Sequence, residues 1–251
     1  MVEKLLIVEN NADYLKAAKE YFSSMPDVEV SFASNYQDAK ALLPKYNKVL
    51  IDIFIPESKN EKLGKEGKDL LEKFEHSLKE KKANCLVDRI KQNKPLHQSL
   101  LKFAEYVLGI QSKEIDNNSL DAIVKKIDST SSSLGSKSTW SNKDLLAYVT
   151  SYSPELEMYN TQLENLAWEK KQKHSPLGVN LAKEAEKLNI SYAFVTDGHH
   201  HHHSPFGEAI RNVFFEDKGC TIIDTSFGSK ACQDFWKRAY ELVSDKDKIF
   251  S

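Results

Sequence analysis

Asp52 stands inside an apolar run, Val49-Leu50-Ile51-Asp52-Ile53-Phe54-Ile55, that is closed by Pro56. A carboxylate in such surroundings is costly unless it meets a cation or hydrogen-bond donors, so it belongs at a strand end. Other polar residues follow apolar runs in the same way. Glu9 and Asn10 come after Leu5-Leu6-Ile7-Val8, Thr196 after Ile190 to Val195, and Asp224 and Thr225 after Thr221-Ile222-Ile223. Asp197-Gly198 then leads into five consecutive histidines, His199, His200, His201, His202 and His203. Neutral imidazoles bind Zn²⁺ or Ni²⁺, and Asp197 or Asp52 could complete the shell. Protonated, the same rings could offer positive charge to a phosphate, switching near pH ~6.5. A polar loop with only incidental affinity for metal is the plainer reading of a tract that has no fixed ligand geometry. Taken together, Glu9, Asp52, Asp197 and the imidazoles could make a metal centre for hydrolysis of a phosphate ester.

These residues must be gathered by the elements around them. Leu5 to Val8 is a short, solidly apolar run, as expected of a strand covered on both faces. The polar turn Glu9-Asn10-Asn11 precedes a helix over Ala12 to Phe22, with Leu15, Ala18 and Phe22 at helical spacing. Val28 to Phe32 alternates with period two, and Asn35 and Asp38 open a helix carrying Ala39, Leu42 and Leu43. Val49 to Ile55 is the third strand. Near the C-terminus the rhythm returns: Ser175-Pro176 has the form of an N-cap and first-turn proline, before a stripe of Leu177, Leu181, Ala182, Ala185 and Leu188. A strand over Ile190 to Val195, a helix from Ser204-Pro205, a strand at Thr221 to Ile223 and a helix over Ala231 to Val243 follow. Strand–helix alternation of this length predicts a parallel sheet with right-handed crossovers.

Between Glu57 and His174 the pattern holds no convincing strand. Leu63 to Lys82, Leu96 to Leu108, Leu120 to Ile127, Leu145 to Val149 and Leu156 to Leu166 read as helices, and Ser129 to Thr139 as a serine-rich loop. A segment this long reads as an inserted helical subdomain. Gly64-Lys65-Glu66-Gly67-Lys68 lacks the preceding strand and the spacing of a phosphate loop. Trp140, Tyr148, Tyr152, Tyr159 and Trp168 are expected in the core, with a partner-binding face as the alternative.

Composition narrows the function classes. The 251 residues are 40% hydrophobic, with 35 Lys+Arg against 37 Asp+Glu and a net charge of -2. That balance gives no basic excess for tracking nucleic-acid phosphates, so no nucleic-acid partner is expected. Cys85, Cys220 and Cys232 have no CxxC spacing and are expected as buried or inert thiols. The apolar run at the N-terminus breaks after about four residues, against ~20 for a membrane span, so a soluble, cytoplasmic protein with no membrane partner is expected.

The segments also carry a likeness. Leu5-Leu6-Ile7-Val8-Glu9-Asn10-Asn11 resembles the first strand and acidic turn of response-regulator (CheY-like) receiver domains. Val49 to Pro56 resembles the phosphoacceptor strand of that family, with its Asp and the Pro four residues later, and Ile190 to Thr196 its fourth strand ending in Thr or Ser. The matching segments cover roughly half the chain and miss the helical middle. The resemblance implies a flavodoxin-like (βα)5 doubly wound parallel sheet in order 2-1-3-4-5, formed by residues 1–56 plus 175–251, with an all-α insertion over 57–174. A second possibility makes Leu63 to Lys82 the third crossover helix and begins the insertion after it.

The same resemblance implies Asp52 as phosphoacceptor, Mg²⁺ held by Glu9, Asp52 and, weakly, Asn10, and a phosphoryl contact from the Thr196 hydroxyl. It implies two-component signalling with a protein partner such as a histidine kinase, and leaves the oligomeric state open. This sequence departs from the family twice. Its second acidic position is Asn10, and Asp224-Thr225-Ser226-Phe227 stands where the family has Lys-Pro after the fifth strand, with Lys230 further along. Direct contact from an ammonium is therefore not expected unless Lys230 reaches back, and Glu9 with Asp52 alone sums to a charge of -2, like the typical site. Three readings stay open: a phosphorylated receiver-like module, a phosphorylation-independent pseudo-receiver that binds a partner, and a metal-dependent phosphoester hydrolase.

Overall fold

A computed structural model of the chain describes residues 2–56, 61–92, 154–196, 210, 221–223 and 229–245. Its first strand, β1 (Glu3–Val8), is followed by α1 (Ala12–Phe22), β2 (Val28–Ala33) and α2 (Tyr36–Leu42). Asparagines start both helices: the Asn11 side chain accepts from the backbone N–H groups of Asp13 and Tyr14, and that of Asn35 from Asp38. These bonds satisfy donors that a helix start leaves open. A short 3₁₀ turn (Leu43–Lys45) then delivers β3 (Lys48–Asp52).

The expected third strand does not run on to Ile55. It ends at Asp52, and Ile55–Pro56 forms a separate two-residue strand, β4. β4 pairs antiparallel with β5 (His174–Ser175), Ile55 opposite Ser175 and Pro56 opposite His174. Proline has no N–H to give a ladder and so suits a short edge pair of this kind. Between them run α3 (Glu61–Gln92) and α4 (Pro154–Lys171). Next come α5 (Leu177–Lys187), β6 (Ser191–Val195), β7 (Ile222–Ile223) and α6 (Gln233–Ser244). Ser175 is not the N-cap of α5: it lies in β5, Pro176 holds the cap position, and no side chain caps that end.

β1, β2, β3, β6 and β7 form one sheet in the order β2-β1-β3-β6-β7, and every neighbouring pair is parallel. Parallel strands covered on both faces should be apolar throughout, and Leu5 to Val8 and Val49 to Ile51 are fully buried. Leu5, Ile7, Leu50, Ala193 and Val195 face Ala18 and Phe22 of α1 and Phe235, Trp236 and Ala239 of α6. By alternation, Leu6, Val8, Val49 and Ile51 take the other face, on which α2 and α5 pack together.

The chain divides into two compact units, residues 1–77 with 162–251, and residues 78–161. In the first unit, Leu70, Leu71 and Phe74 of α3 and Leu166 of α4 are buried. Trp168, expected in the core, is 55% exposed, and Cys232, expected as a buried or inert thiol, lies at the surface. Among the described residues, no helix is long and apolar enough to cross a membrane. The helices expected over Leu96 to Leu108, Leu120 to Ile127 and Leu145 to Val149, the serine-rich loop, and most of the helix from Ser204 lie outside the described residues.

Candidate functional site: an acidic pocket closed by a lysine

The register that pairs Val8 with Ile51 brings Glu9, one residue on, level with Asp52. Both carboxylates therefore emerge at the carboxyl edge of adjacent strands, where open parallel sheets collect reactive groups. Glu9 is fully buried. Its Oε1 accepts the backbone N–H groups of Asn10 and Asn11, each at 2.9 Å, so the carboxylate organises the turn that follows β1. Its Oε2 lies 2.5 Å from Nζ of Lys230.

Lys230 is the residue that sequence reasoning set aside. Its side chain is fully buried, and Nζ is 3.6 Å from Oδ2 of Asp52 and 3.5 Å from the carbonyl oxygen of Val195. The ring of Tyr14 lies under the ammonium at 5.1 Å, a cation–π distance. A buried ammonium is tolerable only where charge and hydrogen bonds compensate it, and this pocket supplies both. The backbone that carries it is equally determined. Cys232 N–H bonds Ser229 O at 2.8 Å to make a tight turn, and the buried Trp236 indole donates to Lys230 O at 2.7 Å. The lysine thus reaches the pocket from a turn that opens α6, not from the residue next to the fifth sheet strand. The expectation that no ammonium stands here is corrected, and the charge of Glu9, Asp52 and Lys230 sums to -1 rather than the -2 of the carboxylates alone.

Thr196 follows β6 directly, is 2% exposed, and donates its backbone N–H to Ile223 O at 2.9 Å. It adjoins the carbonyl that Lys230 approaches. The start of α5 docks against the backbone at Asp52 and Ile53. Gly178 N–H donates to Ile53 O at 3.2 Å, and a Cβ on Gly178 would stand 2.1 Å from Asp52 O. Only glycine lets the helix start approach the backbone beyond Asp52 so closely.

Asn10 sits half-buried at the rim, its Nδ2 3.5 Å from Nε2 of His174. The other ring nitrogen, Nδ1, is 2.8 Å from Glu169 Oε2. Neither His174 nor Glu169 carries a sequence signal: one precedes a Ser-Pro pair, the other ends a charged helix, and only the return of the chain through β5 joins them to the rim. Asp197 and His199 to His203 lie outside the described residues, as do Asp224 and Thr225. Among the described residues, no three His, Cys, Asp or Glu side chains group as a metal cage. A cavity of about 310 Å³ lined by Tyr36, Lys40, Lys62, Glu66 and Lys183 shares no residue with this pocket.

Compared with known proteins, the chain matches no family model, no curated protein and no solved structure.

Proposed function

We propose that this chain is a divergent receiver-like signalling module in which Asp52 accepts a phosphoryl group from a protein partner such as a histidine kinase. The observation that carries this reading is Lys230, buried with its ammonium between Glu9 and Asp52. A lysine beside an acidic strand end suits phosphoryl transfer, because the incoming group brings negative charge into a site that already holds two carboxylates. Counting only the strands of the five-stranded sheet, the order reads 2-1-3-4-5, which supports the flavodoxin-like, doubly wound reading. The chain between β4 and β5 then becomes the inserted helical segment.

In the proposed reaction an Asp52 carboxylate oxygen attacks phosphorus, the bond to the donor's leaving group breaks, and an aspartyl phosphate results. Lys230 moves its charge from Asp52 toward a phosphoryl oxygen, and the Thr196 hydroxyl donates to another. Asp52 and the Asn10 amide offer the hard oxygen donors that suit Mg²⁺, which when bound would offset the repulsion between carboxylate and phosphoryl group. Glu9, whose oxygens already serve the turn and Lys230, holds the lysine in position.

The test is incubation with a small-molecule phosphodonor and Mg²⁺, read by intact mass. Wild type should gain one phosphoryl group that Asp52→Asn does not. Absence of any adduct, under conditions that label a control receiver, leaves a pseudo-receiver that binds its partner without phosphorylation.

A further inference from the structure

The Glu169–His174 pair lies at the same rim, and nothing in phosphoryl transfer to Asp52 requires it. A neutral imidazole carries one N–H, and a carboxylate 2.8 Å from Nδ1 is an acceptor only. In the neutral ring the proton therefore sits on Nδ1, and Nε2 is left as the acceptor atom. That atom faces the Asn10 side-chain amide at 3.5 Å. The separation is long for a hydrogen bond, which normally spans ~2.7–3.2 Å. It matches the spacing of two donor atoms that each lie about 2.1 Å from one cation at an angle near tetrahedral. A half-turn of the Asn10 amide about its Cβ–Cγ bond exchanges nitrogen for oxygen and gives the second donor.

We infer that His174 Nε2 and the Asn10 amide oxygen are two donors of a transition-metal site at the rim of the Asp52 pocket, with Glu169 holding the imidazole from behind. A carboxylate on the far nitrogen is the usual outer partner of a metal-binding histidine: it fixes the tautomer and raises the basicity of the ligating nitrogen. The backbone is held on both sides. His174 is pinned opposite Pro56 in the β4–β5 pair, and Asn10 is held by its N–H to Glu9 Oε1. The His174 and Glu169 side chains are 21% and 15% exposed, sheltered yet open to an ion from solvent. Two protein donors make a shallow site whose remaining positions fall to water or an anionic ligand. The nitrogen donor sets its preference, for Mn²⁺, Co²⁺ or Zn²⁺ over Mg²⁺. The inference shares the pocket with the proposed function and rests on it only in taking Asn10 as a cation ligand.

The experiment uses the full chain with His199 to His203 changed to serine, so that the tract does not compete. Co²⁺ and Mg²⁺ are titrated separately by calorimetry, and Co²⁺ also by quenching of Trp168, whose ring centroid is 6.3 Å from that of His174. His174→Ala should weaken Co²⁺ binding at least tenfold and leave Mg²⁺ binding within threefold, and Glu169→Gln should weaken Co²⁺ by about 10–100-fold. Trp168→Phe should remove the main optical signal and keep the calorimetric affinity. Equal affinity for Co²⁺ in wild type and His174→Ala, both folded by circular dichroism, overturns the inference, as does a matching loss of Mg²⁺ binding. If Asp52 takes no phosphoryl group while Co²⁺ binding still depends on His174, the proposed function fails and the metal site stands.

Discussion

Lys230 concentrates the energetics of the pocket in one side chain. Its ammonium lies against two carboxylates that are themselves nearly buried, Glu9 at 0% and Asp52 at 8% exposure. Removing one partner of such an arrangement leaves charge uncompensated, which typically costs about 3–5 kcal/mol. Lys230→Met keeps most of the volume and the main-chain carbonyl that Trp236 needs, so its effect should report the charge. It should destabilise the fold by about 3–5 kcal/mol in urea unfolding near neutral pH, and Glu9→Gln in the same chain should return part of that loss. A double variant no more stable than Lys230→Met would mean that packing, not charge, is what the lysine contributes. The offset of the residue leaves its placement unreadable from the sequence. A lysine beside the fifth strand announces itself, whereas one that arrives through the turn at Ser229 to Cys232 is visible only once that turn and the Trp236 bond are known. Asp52 and Glu9 are legible for the opposite reason, since charge interrupting or ending a solid apolar run has few places to go.

At the scale of elements, the pocket depends on how closely α5 docks behind β3. Gly178 makes that approach possible, and Gly178→Ala would put a methyl group 2.1 Å from Asp52 O. Backbone cannot give way as a flexible side-chain tip can. The substitution should therefore cost more than Gly67→Ala, whose added methyl would meet the Ser175 hydroxyl at 2.6 Å, and by about 1–3 kcal/mol. Thermal melts of the two variants measured side by side rank them, and Gly178→Ala should also slow labelling of Asp52. Equal melting temperatures would show that α5 can slide without cost. Helices α1 and α2 are legible to within a few residues because an asparagine cap and a helical stripe coincide in each. The end of the third strand is not, because Ile53, Phe54 and Ile55 are as apolar as the strand before them. Periodicity alone does not say that a buried run bends after Asp52 to pair with His174 and Ser175.

On the scale of the whole molecule, the sheet unites the two ends of the chain, and the edge opposite the pocket has a lock of its own. Lys48 Nζ at the start of β3 bonds the Glu3 carboxylate of β1, and it bonds Ser244 Oγ at the end of α6 at 2.8 Å. It also lies 5.5 Å over the ring of Tyr240. Burial pushes the Glu3 carboxyl up, but hydrogen bonds from Lys48, Tyr240 and Ser244 outweigh it and hold the group below its ordinary value. Burial, and then the hydrogen bond to Glu3, push the Tyr240 phenol up to about 12 from 10.0. The signs follow by linkage. Glu3, depressed in the fold, adds stability above its ordinary titration range that is lost as the solution is acidified through the folded value. Tyr240, raised in the fold, adds stability that is complete below pH 10 and is lost as pH rises toward about 12, because the unfolded phenol ionises first. Urea unfolding of wild type and Tyr240→Phe at intervals across that alkaline window should show the wild type losing up to about 2 kcal/mol more than the variant. Between pH ~7 and ~9, where the phenol is protonated in both states, the two stability curves should run parallel. Parallel curves across the alkaline window would mean that α6 is not fastened to β1 through this phenol, leaving its apolar face and the Lys48–Ser244 bond to hold it.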